Sequence, residues 1–263
     1  MHPKLFEIGS FFLPTYGVLL ALAYLLSLRI LVLLGKREGM DAQKVFDLGL
    51  YILIAALLGA KLLSAVIDWE YYLDNPRELL GLVRLSGVFY GGFLCAILTA
   101  MYFTWRWKLP LWKILDMAAV AVPVGQSIGR IGCLSAGCCY GAPAKWGWSL
   151  TFYDEFANRH IGVPLGIPLY PTQIYLSFAG LITFGVAWLL YRRRRFDGWT
   201  FAWFLIVSSA LRFLLELLRG DPRGTFPGTP LSTSQGISIA LILLGAALLI
   251  YFRAAHKGAA ETL

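Results

Sequence analysis

The sequence predicts an all-α, polytopic membrane protein of about seven transmembrane helices, and three observations carry that reading. The 263 residues are 58% hydrophobic and only 14% charged, a balance outside the range of ordinary soluble domains. The charges are gathered between long apolar runs instead of being spread through the chain. Each run is close to the ~20 residues that cross a hydrocarbon core.

The runs are 11–34, 45–67, 88–105, 114–134, 172–191, 199–218 and 237–251, which make residues 1–263 one membrane domain. No basic segment with a small-residue cleavage site precedes the first run, so it is expected to stay as a helix. Residues 35–44, 106–113, 192–195 and the tail 253–257 are basic, whereas 68–78 is mainly acidic. The positive-inside rule then puts the N-terminus outside and the C-terminus in the cytoplasm. Only 137–169, between the fourth and fifth runs, is long enough to fold into a small extracytoplasmic head. Trp69, Tyr71, Tyr72, Trp105 and Trp107 stand at segment ends, as interfacial belts require. A formal charge of +8 would suit a nucleic-acid binder, but the basic residues sit in short loops beside apolar segments. They read as topology signals and contacts to membrane lipid, with no nucleic acid implied.

Ionisable groups inside lipid cost roughly 2.5–3.5 kcal/mol each at a helix centre, so each needs a reason. Tyr16, Lys61, Tyr90, Arg130, Gln173, Arg212, Glu216 and Gln235 come from seven different segments, yet all fall toward the outer half of the membrane. Arg212, Glu216 and Arg219 are spaced i, i+4 and i+7, which puts them on one helical face. Arg212 would lie about 10 Å below the outer end of that helix. A planar guanidinium that keeps its charge when buried suits an anion at headgroup depth. The competing reading is that Glu216 merely neutralises Arg212 for insertion.

Arg130 lies within GQSIGRIGCLSAGCCYG, where Gly125, Gly129, Gly132 and Gly137 permit close helix approach. No acidic residue lies within one turn of it in sequence, so a phosphate would supply its counter-charge. Lys61 reads as snorkelling to the interface, and Asp116 as a cap or loop partner. Tyr16, Gln173 and Gln235 are hydrogen-bonding candidates that serve equally well as interhelical glue. Cys95, Cys133, Cys138 and Cys139 have no second Cys/His cluster at zinc-ligand spacing. They are read as packing residues or local structural bonds that tolerate Ser or Ala, and no metal or organic cofactor is implied.

TYG at 15–17, Tyr90-Gly91-Gly92, GRIG at 129–132, YPTQIY at 170–175, the Arg212-to-Arg219 stretch and STSQ at 232–235 together resemble the bacterial prolipoprotein diacylglyceryl transferases. The likeness covers nearly the whole chain. It implies a multi-pass inner-membrane enzyme that moves a diacylglyceryl group from phosphatidylglycerol to the lipobox cysteine of a preprolipoprotein signal peptide, releasing glycerol phosphate. Under it, Arg130 and Arg212 hold the lipid phosphate and Glu216 orients Arg212. Tyr16, Lys61, Gly91, Gly92, Gln173, Arg219 and Gln235 contribute to substrate binding.

Two positions depart from the family pattern. Tyr90 stands where the usual motif has a histidine, and Cys133 and Cys138 stand where polar and acidic residues usually follow GRIG. A phenol with a reference pKa of about 10 is a poor base but can donate a hydrogen bond. The substrate thiolate would then come from a nearby arginine cluster that lowers the thiol pKa. Two rival readings are a relative with another acceptor and a non-enzymatic lipid binder; no inverted repeat with broken helices favours the latter.

Overall fold

The computed structural model of the chain describes residues 3–8, 11–75, 87–221, 224–225 and 228–261. Glu78, the last residue of the acidic loop, lies outside them. Six helices among the described residues are long and apolar enough to cross a membrane. They are α1 (Thr15–Arg37), α2 (Ala42–Ile67), α5 (Leu111–Ala136), α7 (Thr172–Arg192), α8 (Trp199–Glu216) and α9 (Thr233–Glu261, apolar over Thr233–Ala254). The third expected segment also forms a helix, α4 (Phe89–Arg106). At 18 residues it is as long as α8, but its paired glycines, two threonines and Tyr-Phe-Thr-Trp-Arg end make it more polar than the six.

Two expected boundaries moved. Residues 11–14 are a strand, β2 (Phe11–Pro14), paired antiparallel to β1 (Lys4–Ile8). Proline disfavours α geometry in the residue before it, so α1 begins only after Pro14. At the other site end, α8 stops at Glu216 rather than 218, and residues 217–219 unwind through bonds of three-residue span, Arg219 N to Glu216 O at 3.2 Å among them.

The chain divides into two units, Met1–Ile30 with Leu115–Leu263, and Leu31–Ile114. In the second unit, α2 and α4 meet along glycines. A Cβ on Gly92 would lie 2.7 Å from the Ala56 carbonyl oxygen, one on Gly59 would lie 2.5 Å from Cys95 Sγ, and one on Gly91 would strike the Gly59 carbonyl. The short helix α3 (Trp69–Asp74) follows α2.

In the larger unit large apolar side chains also face outward, while small polar ones join the buried core between helices, as expected in lipid. Leu25, Phe178, Leu189 and Ile250 are exposed, whereas Ser127, Ser177, Thr183, Ser209 and Ser238 are buried. Ser127 Oγ donates to the Ser177 carbonyl at 2.8 Å and Ser177 Oγ returns a bond to the Ser127 carbonyl at 2.9 Å, joining α5 to α7. Pro123 lies inside α5, and Gly180 of α7 packs where a Cβ would be 3.0 Å from its carbonyl oxygen.

At one end of this unit, Asp116 accepts from Gly198 N at 2.9 Å and Phe201 N at 2.8 Å. It caps α8 from another helix, since Gly198 has no side chain to do so. Asp116→Ala should lower the stability of the purified protein by about 2 kcal/mol, the upper range for a lost cap. Thermal unfolding in detergent measures it, and an unchanged midpoint would refute the cap. The Arg195 guanidinium carbon lies 5.3 Å and that of Arg253 5.7 Å from the Trp199 ring, so part of the basic loop and tail gathers at this same end.

At the opposite end sits the head. β3 (Leu150–Thr151) pairs with β4 (Pro168–Leu169), and α6 (Glu155–Ile161) folds between them over a core of Phe152, Ala157, Val163 and Leu169. The N-terminal hairpin rests on it: the Phe12 and Phe156 rings are 5.8 Å apart edge to face, with Lys4 Nζ 4.8 Å from the Phe156 centroid.

Candidate functional site

Where α5 leaves the helical layer, Gly137 adopts φ +82° and ends it. Cys138 N bonds back to Cys133 O at 3.1 Å and Gly137 N to Leu134 O at 3.3 Å, a paired closure that needs a residue free to enter the left-handed region. The chain then runs as Cys138–Ala142 beneath the head. Thr172 Oγ1 donates to Cys139 O at 2.8 Å and Gln173 Nε2 to Cys138 O at 2.9 Å, so the first turn of α7 holds this loop by its carbonyls.

The same loop is stitched to the chain just beyond α8. Ala142 N bonds to Leu218 O at 2.9 Å and Gly220 N to Tyr140 O at 3.3 Å. The backbones are so close that a Cβ on Gly220 would lie 2.5 Å from the Gly141 carbonyl oxygen, and one on Gly141 would lie 2.9 Å from that of Leu218. Only glycine fits at this crossing.

Two groups of side chains result. In the first, Arg130 Nη1 donates to Cys139 Sγ at 3.7 Å, and Arg219 also bonds to the Cys139 thiol. Tyr16 packs on the same turn, its ring 3.1 Å from where a Gly132 Cβ would be, and it shares an electrostatic neighbourhood with Arg130 and the three thiols. Hydrogen bonds from Cys133 and Cys138 hold the Cys139 thiol well below its ordinary range, with Arg219 adding to the effect against burial. Cys138 is pushed up because it shares those bonds and is buried. Burial works against the charge of Arg219, but its bonds to Asp221 and Cys139 outweigh that and hold it above its ordinary value.

In the second group, Arg212 Nη2 contacts Glu216 Oε2 at 2.8 Å and Arg212 Nε donates to Ser234 Oγ at 3.0 Å. Ser232 Oγ donates to Glu216 Oε1 at 3.2 Å, and Gln235 Oε1 accepts from Ser232 N at 3.0 Å. Glu216 is 8% exposed. With α8 ending at Glu216, Arg212 sits about 6 Å from the helix end rather than the 10 Å expected.

Arg219 does not continue the Arg212–Glu216 face. The helix has ended, and its guanidinium turns to a two-point bond with Asp221, Nε to Oδ1 at 2.8 Å and Nη2 to Oδ2 at 2.7 Å. Gln173 is fully buried, and its amide supports the loop backbone. Tyr90, Gly91, Gly92 and Lys61 belong to the second unit. Tyr90 is exposed in the first turn of α4, Lys61 is half-buried on α2, and the two glycines are spent on helix packing. Sequence reasoning did not single out Ser232, Ser234 and Thr172 individually, nor Asp221, although the Arg219-Gly220-Asp221 spacing was visible.

The arrangement offers two guanidiniums, Arg130 and Arg212, at the head end of one unit. Each is positioned by a small polar or sulfur partner that an incoming anion could supplement. Comparison with known proteins gives the context. The sequence model of the prolipoprotein diacylglyceryl transferase family matches residues 3–251. The chain is 35% identical over 246 residues to a phosphatidylglycerol-prolipoprotein diacylglyceryl transferase of Clostridium tetani, covering 93% of this chain and 95% of that one. It is 32% identical over 267 residues to the second such enzyme of Clostridium perfringens (100% and 99% covered) and 30% over 265 residues to that of Symbiobacterium thermophilum (98% and 96%).

Proposed function

This chain belongs to the prolipoprotein diacylglyceryl transferase family, and on that premise we propose that it transfers the diacylglyceryl group of phosphatidylglycerol to the lipobox cysteine of preprolipoproteins. It is a multi-pass membrane protein and a transferase. The observation that supports the reading is that Arg130, bonded to Cys139 Sγ, and Arg212, paired with Glu216, both lie at the head end of one helical unit.

In this mechanism the phosphate of the lipid headgroup sits between the two arginines. The acceptor thiolate attacks the glycerol carbon of the diacylglyceryl group, forming a carbon–sulfur bond as the carbon–oxygen bond to phosphate breaks. The thiol proton passes to water before attack, and glycerol phosphate leaves as the dianion with the bonding electrons. Charge grows on the departing phosphate oxygen, where fixed guanidiniums lower the barrier most. Glu216, held by Ser232, fixes the Arg212 fork, and Ser234 orients its Nε. The head, the N-terminal hairpin and this site share one end of the unit, and the basic residues Arg195 and Arg253 gather at the other. That polarity supports an N-terminus outside and a C-terminus in the cytoplasm of the bacterial inner membrane.

The test incubates the purified chain with labelled phosphatidylglycerol and a lipobox peptide. Thioether-linked lipid on the peptide and released glycerol phosphate are expected in equal amounts. Product on some other thiol, amine or hydroxyl alone would move the assignment to a different acceptor, and binding without product would end it. Tyr90→Phe, which removes one hydroxyl, should reduce the rate by about 1–2 kcal/mol, roughly 5- to 30-fold. Complete loss in that variant would make Tyr90 a catalytic group.

A further inference from the structure

The Sγ atoms of Cys133, Cys138 and Cys139 all lie within 4.8 Å of one another, one thiol buried and two half-buried. The geometry points to a three-thiolate site for a thiophilic closed-shell cation, Zn(II) or Cu(I), at the end of α5. A metal 2.3 Å from each of three sulfurs needs sulfur–sulfur separations of about 4 Å, so the cluster must contract by less than about 1 Å. Thiolates select such soft ions over hard ones.

The cluster is held in place by bonds that do not involve sulfur. The closure at Gly137 fixes Cys138 relative to Cys133, and Cys138 N bonds to Cys133 O at 3.1 Å. Cys139 itself has φ +59°, an uncommon conformation for a side-chain-bearing residue, which is retained while Thr172 and Gln173 clamp the carbonyls of Cys139 and Cys138. Such outer support is what orients ligands in built metal centres.

Charge fits as well. Three thiolates around Zn(II) carry a net −1 and around Cu(I) a net −2, and the guanidiniums of Arg130 and Arg219 both reach Cys139 to offset it. Arginine N–H groups bonded to a ligating sulfur are the outer-shell partners an anionic centre requires. Binding releases the thiol protons and changes no oxidation state.

The experiment uses the full chain purified in detergent with a non-thiol reductant, titrated with Cd(II) as a spectroscopic probe and Zn(II) in competition. A sulfur-to-cadmium charge-transfer band saturating at one ion per chain, and displaced by Zn(II), is expected. Cys138→Ser and Cys139→Ser should each weaken binding at least about tenfold, for loss of one of three thiolate ligands, and Cys95→Ser, in the other unit, should leave it unchanged. Independently of any variant, Zn(II) should protect three of the four thiols of the parent protein from alkylation, counted by intact mass. Fully reduced protein that shows no band, equal binding by folded Cys138→Ser, or loss of binding in Cys95→Ser would each overturn the site. So would isolation of the chain from membranes with a disulfide within the cluster.

Discussion

Replacing Arg212 or Arg130 by alanine should cut transfer by about 10²–10³-fold at saturating phosphatidylglycerol while the protein still folds, because each loses a donor aimed at charge that develops only as the phosphate departs. Initial rates of lipid transfer to a lipobox peptide measure this, with thermal unfolding as the control for folding. Arg212→Lys should recover little. Arg212 uses Nε for Ser234 and Nη2 for Glu216 in one plane, and an ammonium cannot reproduce that fork. Near-normal turnover in either alanine variant would remove that arginine from the phosphate site.

Glu216→Ala should destabilise the protein by about 3 kcal/mol, since it leaves the Arg212 charge without its carboxylate in a partly buried setting. That figure is at the low end for a broken buried pair because the Arg212 side chain keeps 22% of its exposure. The variant should also lose transfer, as Arg212 is no longer oriented. The double change Arg212→Met, Glu216→Leu separates the two roles of the pair. Apolar replacement of both partners should restore most of the stability and none of the activity. A double variant that transfers lipid would reduce the pair to an insertion device.

Much of this architecture was legible in sequence because membrane helices are written in length and hydropathy. The apolar runs located the seven long helices found among the described residues, and the alternating basic loops proposed their sense. What failed was governed by local backbone events. Pro14 delayed α1, and the unwinding after Glu216 took Arg219 off the helical face that i+7 spacing assigns to it. The Arg212–Glu216 pair could be read because i, i+4 contacts lie within one helix. Ser232 and Ser234 could not be given roles, because they meet α8 only through tertiary packing. The proximity of the three thiols was not legible for a similar reason. Their one-sided spacing matches no familiar zinc pattern, and the turn at Gly137 that gathers them is visible only in three dimensions.

The backbone crossing at Gly141 and Gly220 has a bearing on how the chain can vary. Immediately beyond it, the isolated bridge between Pro143 and Leu169 closes the base of the head. The head is held at its sides as well, by Leu134 and Tyr140 against its core and by Phe12 against Phe156, so a change inside it reaches the end of α5 that carries Arg130. At the neck itself the tolerance is nil, because a methyl group on Gly141 or Gly220 would force the two backbones apart and open the base of the head.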